Sequence, residues 1–470
     1  MKRCLRAILP VLACAAVAVH AQAPSSTTRA PKRFIGYAEA APIFESFQQS
    51  LPAELRRKTT AETERAWSEW VARHDRVVRA RLERGDEDSL VYLWLYGTSF
   101  TTQLPLTERN VEVSVREPAQ ARLVQRRLDD LLAGVGSPRG NERLQFARGV
   151  VERHGANLST AAGKARARAY LESLHERVFR EYTEQKQTLE SLERLDAVTA
   201  LAAYVTLFRD RGLSSDTSLY SSFAVEQALE AMKNQGVLAP LELARVAVMG
   251  PGLDFANKDK GYDFYPQQTI QPVALMDSLT RLGLAGSDGI TVATFDLSPR
   301  VNKHIDAALA QARAGSSYTV HVPLPAGEVW NPDLVAYWRR FGDRVGTETP
   351  PLTARPNTGI VGIRAVRIPP ARVLALRPHD VNVVVERLEP LADHERFDLI
   401  VATNILVYYN GFEQALALSN VAAMLRDGGV FLSNTPVPPI PSMALSEHYA
   451  TVSYSEQRRD HLFWYRRMPR

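Results

Sequence analysis

Three short segments carry residue types suited to holding a polar ligand. Gly250–Pro251–Gly252 directly follows the apolar run Arg245–Val246–Ala247–Val248–Met249. Two glycines in that place permit a tight turn and a close backbone approach to a bound group. Asp296 closes a second β-branched run, Ile290 to Asp296. A carboxylate there can take two hydroxyls on adjacent ribose carbons, one on each oxygen. It can equally cap the helix that opens at Pro299, as can Ser298. Thr403 and Asn404 end a third run, Phe397–Asp398–Leu399–Ile400–Val401–Ala402, and Ile405–Leu406–Val407–Tyr408–Tyr409 follows. Ligands of open α/β sheets gather at this carboxyl edge.

Other chemistries lack their residues. The ten histidines form no His-Glu-x-x-His and no close pair, so a metal site is not expected. There is no phosphate-loop Gly-x-x-x-x-Gly-Lys motif. Gly97–Thr98–Ser99–Phe100–Thr101 lacks the second glycine of a nucleophile elbow and reads as a helix end. Asp86–Glu87–Asp88 reads as a solvated helix start. Trp330, Trp338 and the Tyr318–Val322 run read as core rather than as a pocket lining.

The elements that must position these segments divide the chain. From about 38 to 236 the period is helical. Thr59 with Glu62 forms a capping box, and Trp67, Trp70, Val71, Val77, Val78 and Leu82 follow on one face until Gly85 stops the helix. Further helices fit 118–133, 141–153, 160–190, 192–210 and 221–234. No repeat of fixed period is present. From about 239 short strands alternate with helices, the mark of βαβ units. The spacing predicts strands at 245–249, 290–296, 381–385, 397–402 and 429–433, helices at 272–284, from Pro299 towards Gly315, and at 411–426, and a closing hairpin of 449–455 with 461–465. Residues 316–378 read as an insertion. The chain is thus an N-terminal all-α domain (38–238) followed by an α/β Rossmann-like domain (239–470). Gly250 and Asp296 lie 296 − 250 = 46 residues apart, against about 20 in the usual dinucleotide fingerprint. The aromatic stretch 253–271 accounts for the excess as a loop that covers the site.

This order resembles the class I S-adenosylmethionine-dependent methyltransferases. It has a glycine loop, an acid after the second strand, a Phe397–Asn404 fourth strand and Leu425–Arg426–Asp427–Gly428–Gly429 leading into the fifth. The Asn404–Tyr409 segment is similar to chemotaxis-receptor methyltransferases. The resemblance covers about 240–470 and implies a mostly parallel seven-stranded sheet whose terminal hairpin supplies the antiparallel strand. It implies S-adenosylmethionine as cofactor, with Gly250, Pro251, Gly252 and Asp254 near its amino-acid part, Asp296 on the ribose, and Thr403 and Asn404 at the reacting end. Tyr408, Tyr409 and Tyr265 would face the acceptor, a small molecule or a protein. The pattern departs at Asp254, which replaces the third glycine, and after the third strand, where Glu386 or Arg387 stands instead of the acid expected near the adenine. No Asn-Pro-Pro-Tyr sequence is present, so catalysis would rest on positioning. A binding module on the same fold and a nucleotide-dependent oxidoreductase are the alternatives.

Bulk composition sets the remaining expectations. The 470 residues are 45% hydrophobic and 23% charged, ordinary globular usage. Lys2, Arg3 and Arg6 precede an apolar stretch, Ala7 to Val19, and small residues up to Ala21. This reads as an export signal over 1–21 with a flexible leader over 22–37, giving a periplasmic or secreted protein. A lipid anchor on Cys14 is the lesser alternative. Cleavage removes both cysteines, Cys4 and Cys14, and three positive charges, leaving 5 − 3 = +2. So small an excess gives no reason to expect nucleic-acid binding, and no further stretch is apolar enough for a membrane span.

Overall fold

The computed structural model describes residues 31–48, 51–56, 59–106, 118–192, 208, 211–256, 260–286 and 289–469. The expected export segment, both cysteines, most of the leader and nearly all of the helix expected at 192–210 lie outside the described residues. The leader's end, expected to be flexible, forms strand β1 (Lys32–Phe34). The helices of the first half are α1 (Tyr37–Ser46), α2 (Thr60–Tyr96), α3 (Pro118–Gly136), α4 (Glu142–Arg153), α5 (Ala161–Leu192) and α6 (Leu219–Asn234). None of the described helices is long and apolar enough to cross a membrane.

Helix α2 opens on the expected capping box. The Glu62 carboxylate accepts the Thr59 N–H at 2.9 Å while the Thr59 hydroxyl accepts the Glu62 N–H at 3.3 Å. Trp67, Trp70, Val71 and Val78 are buried, but Val77 is exposed. The helix does not stop at Gly85; it runs on to Tyr96. Gly85 serves close approach instead. A Cβ there would lie 1.9 Å from the Leu213 carbonyl oxygen, because the 212–213 backbone crosses the helix at this point. Asp86, Glu87 and Asp88 consequently sit mid-helix rather than at a start, where Glu87 and Asp88 pair with Arg177 and Asp86 lies 3.5 Å from Arg300. The helix ends before Gly97, as expected, and the Thr98 and Ser99 amides and hydroxyls all donate to Asp263.

The second half builds β2 (Arg245–Met249), α7 (Gln271–Arg281), β3 (Thr291–Phe295), α8 (Pro299–Arg313), β4 (Tyr318–Pro325), α9 (Pro332–Arg340), β5 (Thr347–Thr349), β6 (Val361–Ile368), α10 (Pro370–Val373), β7 (Leu376–His379), β8 (Glu386–Leu388), β9 (Phe397–Ala402), α11 (Gly411–Met424), β10 (Leu425–Ser433), β11 (Met443–Ser453) and β12 (Arg459–Arg467). The main sheet has seven strands in the order β11-β12-β10-β9-β2-β3-β7. Its five strands from β10 to β7 are parallel, and β12 runs antiparallel between β10 and β11. Counted along the chain within the sheet, the order is third, second, first, fourth, fifth, seventh, sixth. That is a Rossmann-like sheet with the antiparallel hairpin of a methyltransferase-like fold.

Side chains alternate across the central strands. Val246 and Val248 enter a core shared with α6 and α7, including Phe223, Leu229, Met276 and Leu279. Ala247 and Met249 enter the opposite core, shared with α1, the front of α2 and α11, including Trp67, Trp70, Phe412 and Leu416. The sheet is therefore covered on both faces, as parallel sheets require. A third core joins the end of α2 to α3, α4 and α5 and takes in Phe255 and Ala256.

The region expected to be an insertion forms a separate antiparallel sheet, β4-β6-β5, beside α9. It stops short of 378, because β7 belongs to the main sheet. The run Val381–Val385, expected to be the third strand, is a turn. The Asn382 carbonyl accepts the Val385 and Glu386 N–H groups at 2.9 and 2.6 Å, and the Glu386 carboxylate accepts the Asn382 N–H at 2.9 Å. The valines are buried all the same; an apolar run by itself does not separate strand from buried turn. Beyond it, β8 pairs with β1, supported by Lys32–Glu386 at 3.0 Å.

Candidate functional site

Strand order reverses between β2 and β9, and the loops that leave their carboxyl ends enclose a cavity of about 160 Å³. Such a switch point is where open α/β sheets bind ligands. Gly250 and Gly252 follow β2, Asp296 follows β3, and Thr403, Asn404, Ile405, Tyr408 and Tyr409 follow β9; all of them line the cavity. Both glycines hold positive φ, 62° and 61°, a backbone shape that L side chains avoid. A Cβ on Gly252 would lie 2.6 Å from the Ser215 carbonyl.

Asp296 is the buried carboxylate of the site. Its Oδ1 accepts the Ser298 N–H at 2.8 Å and its Oδ2 accepts the Gly252 N–H at 3.4 Å. Burial raises its carboxyl to about 6 against those two hydrogen bonds. A carboxylate offers about four lone pairs, so two remain for a ligand. Thr403 takes the Gln271 side-chain amide on its hydroxyl at 3.0 Å. Asn404 holds φ 58° and pairs with the Asn434 side chain: its backbone N–H donates to Asn434 Oδ1 at 2.8 Å, and its side-chain Oδ1 accepts from Asn434 Nδ2 at 2.7 Å. Arg81 donates to the Tyr408 carbonyl at 3.3 Å and lies over the Tyr408 ring. Tyr409 is buried, and burial pushes its hydroxyl well above the usual pKa.

Three expected residues do not line this cavity. Pro251 is buried in the loop. Asp254 and Tyr265 belong to a separate buried network, in which the Tyr265 hydroxyl and the Gln268 amide donate to Asp254 at 2.8 and 3.0 Å. Burial raises the Asp254 carboxyl to about 6. Of the stretch expected to cover the site, Asp254, Phe255 and Tyr265 are held under the helical half, where Arg143 of α4 donates to their carbonyls, and Gln271 at its end lines the cavity.

Other lining residues come from places the sequence reading passed over. Ser214, Ser215, Asp216, Thr217 and Ser218 form one wall. Their backbone bonds to Leu253, with the Leu253 N–H donating to Ser215 O at 2.7 Å and the Thr217 N–H to Leu253 O at 3.2 Å. Asp216 accepts the Ser89 hydroxyl at 2.9 Å on Oδ2, while its buried Oδ1 takes no hydrogen bond and lies 3.9 Å from Arg300 Nη2. Phe295, Leu297, Val381 and Val383 add an apolar side, and Leu82 of α2 adds another. The residue that follows the third sheet strand is Asp380, not Glu386 or Arg387; it pairs with Arg79 at 2.9 Å, and its charge contributes to raising Asp296. Among the described residues, no histidine, lysine or arginine lines the cavity. Among the described residues, no group of three or more metal-ligating side chains is gathered anywhere.

No family model matches the chain, and no curated protein matches it. Among solved structures it is similar to TrmN from Thermus thermophilus, at 14% identity over 53% of this chain and 52% of that one, with a TM-score of 0.25. The match spans about half of the TrmN chain. It is also similar to the glycopeptide N-methyltransferase MtfA, at 13% identity over 54% of this chain and 70% of that one in the sinefungin complex, TM-score 0.20. The MtfA complex with S-adenosyl-L-methionine gives 11%, 54% and 96%, TM-score 0.21. At such TM-scores the fold assignment rests on the sheet order and not on these likenesses.

Proposed function

We propose that the switch-point cavity binds S-adenosylmethionine and that the chain transfers its methyl group to an acceptor entering beside Tyr408 and Tyr409. One observation supports this above all: the loops after β2, β3 and β9 converge on a cavity holding a buried carboxylate with free lone pairs. Asp296 would accept both ribose hydroxyls. The left-handed Gly250 and Gly252 would let the backbone reach the amino-acid part, and Asp216, whose Oδ1 takes no hydrogen bond and lies 3.9 Å from Arg300 Nη2, would accept its ammonium. The apolar side formed by Leu297, Val381 and Val383 would take the adenine.

The residues at the reacting end are suited to positioning. With no histidine or lysine among the described lining residues, and with Asp296 and Asp216 assigned to the cofactor, the described site offers no further base to strip an acceptor of its proton. The acceptor would bring a free lone pair and be held in line with the methyl group. The lack of a further base among the described lining residues equally favours a second reading, a binding module on this fold that transfers nothing. Export to the periplasm or beyond belongs to the same proposal, and cell fractionation tests it: full-length chain in the cytoplasm would contradict it.

Isothermal titration with S-adenosylmethionine and S-adenosylhomocysteine tests the binding. One saturable site per chain is expected, with Asp296→Ala weakening it by about 1–3 kcal/mol, the scale of leaving buried hydroxyls unpaired. Unchanged affinity would leave Asp296 with only its Ser298 and Gly252 bonds to explain it. Binding without release of S-adenosylhomocysteine across a panel of amines, thiols and carboxylates would favour the binding module.

A further inference from the structure

A second cavity, of about 580 Å³, lies beside the edge strand β7 at the end of the sheet where the parallel strands begin. Arg245, Thr291, Leu376 and Phe397, the first residues of β2, β3, β7 and β9, line it. Ligands of such sheets sit at the opposite edge, so this cavity is no part of the site above.

Three arginines converge on it: Arg245, Arg377 and, from the last turn of α8, Arg313. Arg245 Nε donates to the Glu395 carbonyl at 3.0 Å, and Arg377 Nη1 donates to the Leu374 and Leu376 carbonyls at 2.6 and 2.8 Å. These backbone bonds fix two guanidinium groups without neutralising them. Among the described residues none of the three has a carboxylate within ion-pair distance. Burial and the charges of Arg245 and Arg313 hold the Arg377 guanidinium below its ordinary pKa. The acids lining the cavity, Asp306 and Glu395, leave a net charge of 3 − 2 = +1 there with His379 neutral. Leu309, Leu388, Leu391 and Phe397 supply an apolar part.

We propose that this cavity binds a small phosphorylated molecule, its phosphate oxygens taken by Arg245, Arg313 and Arg377. Guanidinium forks match phosphate oxygens two bonds at a time, and the volume falls in the range of small-molecule sites. An anion would relieve the repulsion among the three cations, and the apolar part would receive an organic group attached to the phosphate.

Isothermal titration of the whole chain with sodium pyrophosphate, at constant ionic strength so that screening does not change, tests this. One saturable site per chain is expected. Arg313→Gln, at an exposed helix end where the fold tolerates it, should weaken that site by about tenfold or more, the scale of losing a paired charge-assisted contact. Arg339→Gln, an exposed arginine of α9, should leave it unchanged, and S-adenosylmethionine titration of Arg313→Gln should match the parent. Absence of saturable heat at millimolar pyrophosphate would overturn the proposal. So would equal losses in Arg313→Gln and Arg339→Gln, which would show a general response to charge.

Discussion

Asp254→Asn is expected to stabilise the folded chain at pH 8 and to lose that advantage towards pH 4. Burial holds the Asp254 carboxyl at about 6 in the folded chain against its ordinary 3.8. Between those values the native state binds more protons than the unfolded one, so stability falls as pH rises through this window and stays low above it. The difference, 6 − 3.8 = 2.2, corresponds to about 3 kcal/mol at 1.36 kcal/mol per pKa unit. An asparagine oxygen can accept both the Tyr265 hydroxyl and the Gln268 amide, which now share Oδ2. Its NH₂ would replace Oδ1, which has no partner, at a cost of about 1 kcal/mol. The variant should therefore gain about 2 kcal/mol at pH 8 and be slightly less stable than the parent near pH 4. Urea unfolding at the two pH values measures this; a difference independent of pH would show that Asp254 is not held protonated by burial.

Gly85→Ala is expected to cost about 3 kcal/mol, at the upper end of overpacking penalties, and to weaken ligand binding at a site where it makes no contact. The added methyl would meet the Leu213 carbonyl at 1.9 Å. Neither side yields easily, since α2 is continuous through this point and the Leu213 N–H donates to the Arg81 carbonyl at 3.0 Å. Displacing Leu213 moves the Ser214–Ser218 wall, which is bonded to Leu253 in the glycine loop. Thermal melts and S-adenosylhomocysteine titration together check the point. Lowered stability with unchanged affinity would mean that the wall does not shape the cavity.

The parts of the fold legible in the sequence were those whose local signals agreed. The β2 run ends on two glycines because the chain must turn with positive φ there. The Thr59–Glu62 box and a helix end at Gly97 were equally plain, but the single helix that joins them was not, because Gly85 reads as a stop. Strand β7 was not legible, because Leu376–Arg377–Pro378–His379 lacks a strand-like run. It lies at the sheet edge and pairs only with β3, where a proline is tolerated. Val381–Val385 looked more like a strand and is a turn, since apolar content reports burial rather than backbone shape.

The site itself was half visible. Gly250, Gly252, Asp296, Thr403, Asn404, Tyr408 and Tyr409 were drawn from strand ends, and strand ends meet at the sheet edge. Asp254 and Tyr265 were drawn from proximity in sequence to the glycine loop, and their loop turns away beneath Arg143. Asp216 was missed because a serine-rich run between helices reads as a linker. The signal that marked it was a glycine in mid-helix, Gly85, matched by Gly212 just before that run: Gly85 is closed against the Leu213 backbone and Gly212 against the Arg84–Gly85 backbone.

A crystal structure of the chain with S-adenosylhomocysteine tests the central claim most directly. The claim predicts density in the cavity between β2 and β9, with both ribose hydroxyls about 2.5–3.0 Å from the Asp296 oxygens and the amino-acid part against Gly250 and Gly252. An empty cavity at saturating ligand, or the ligand bound elsewhere with Asp296 still held only by Ser298 and Gly252, would contradict it.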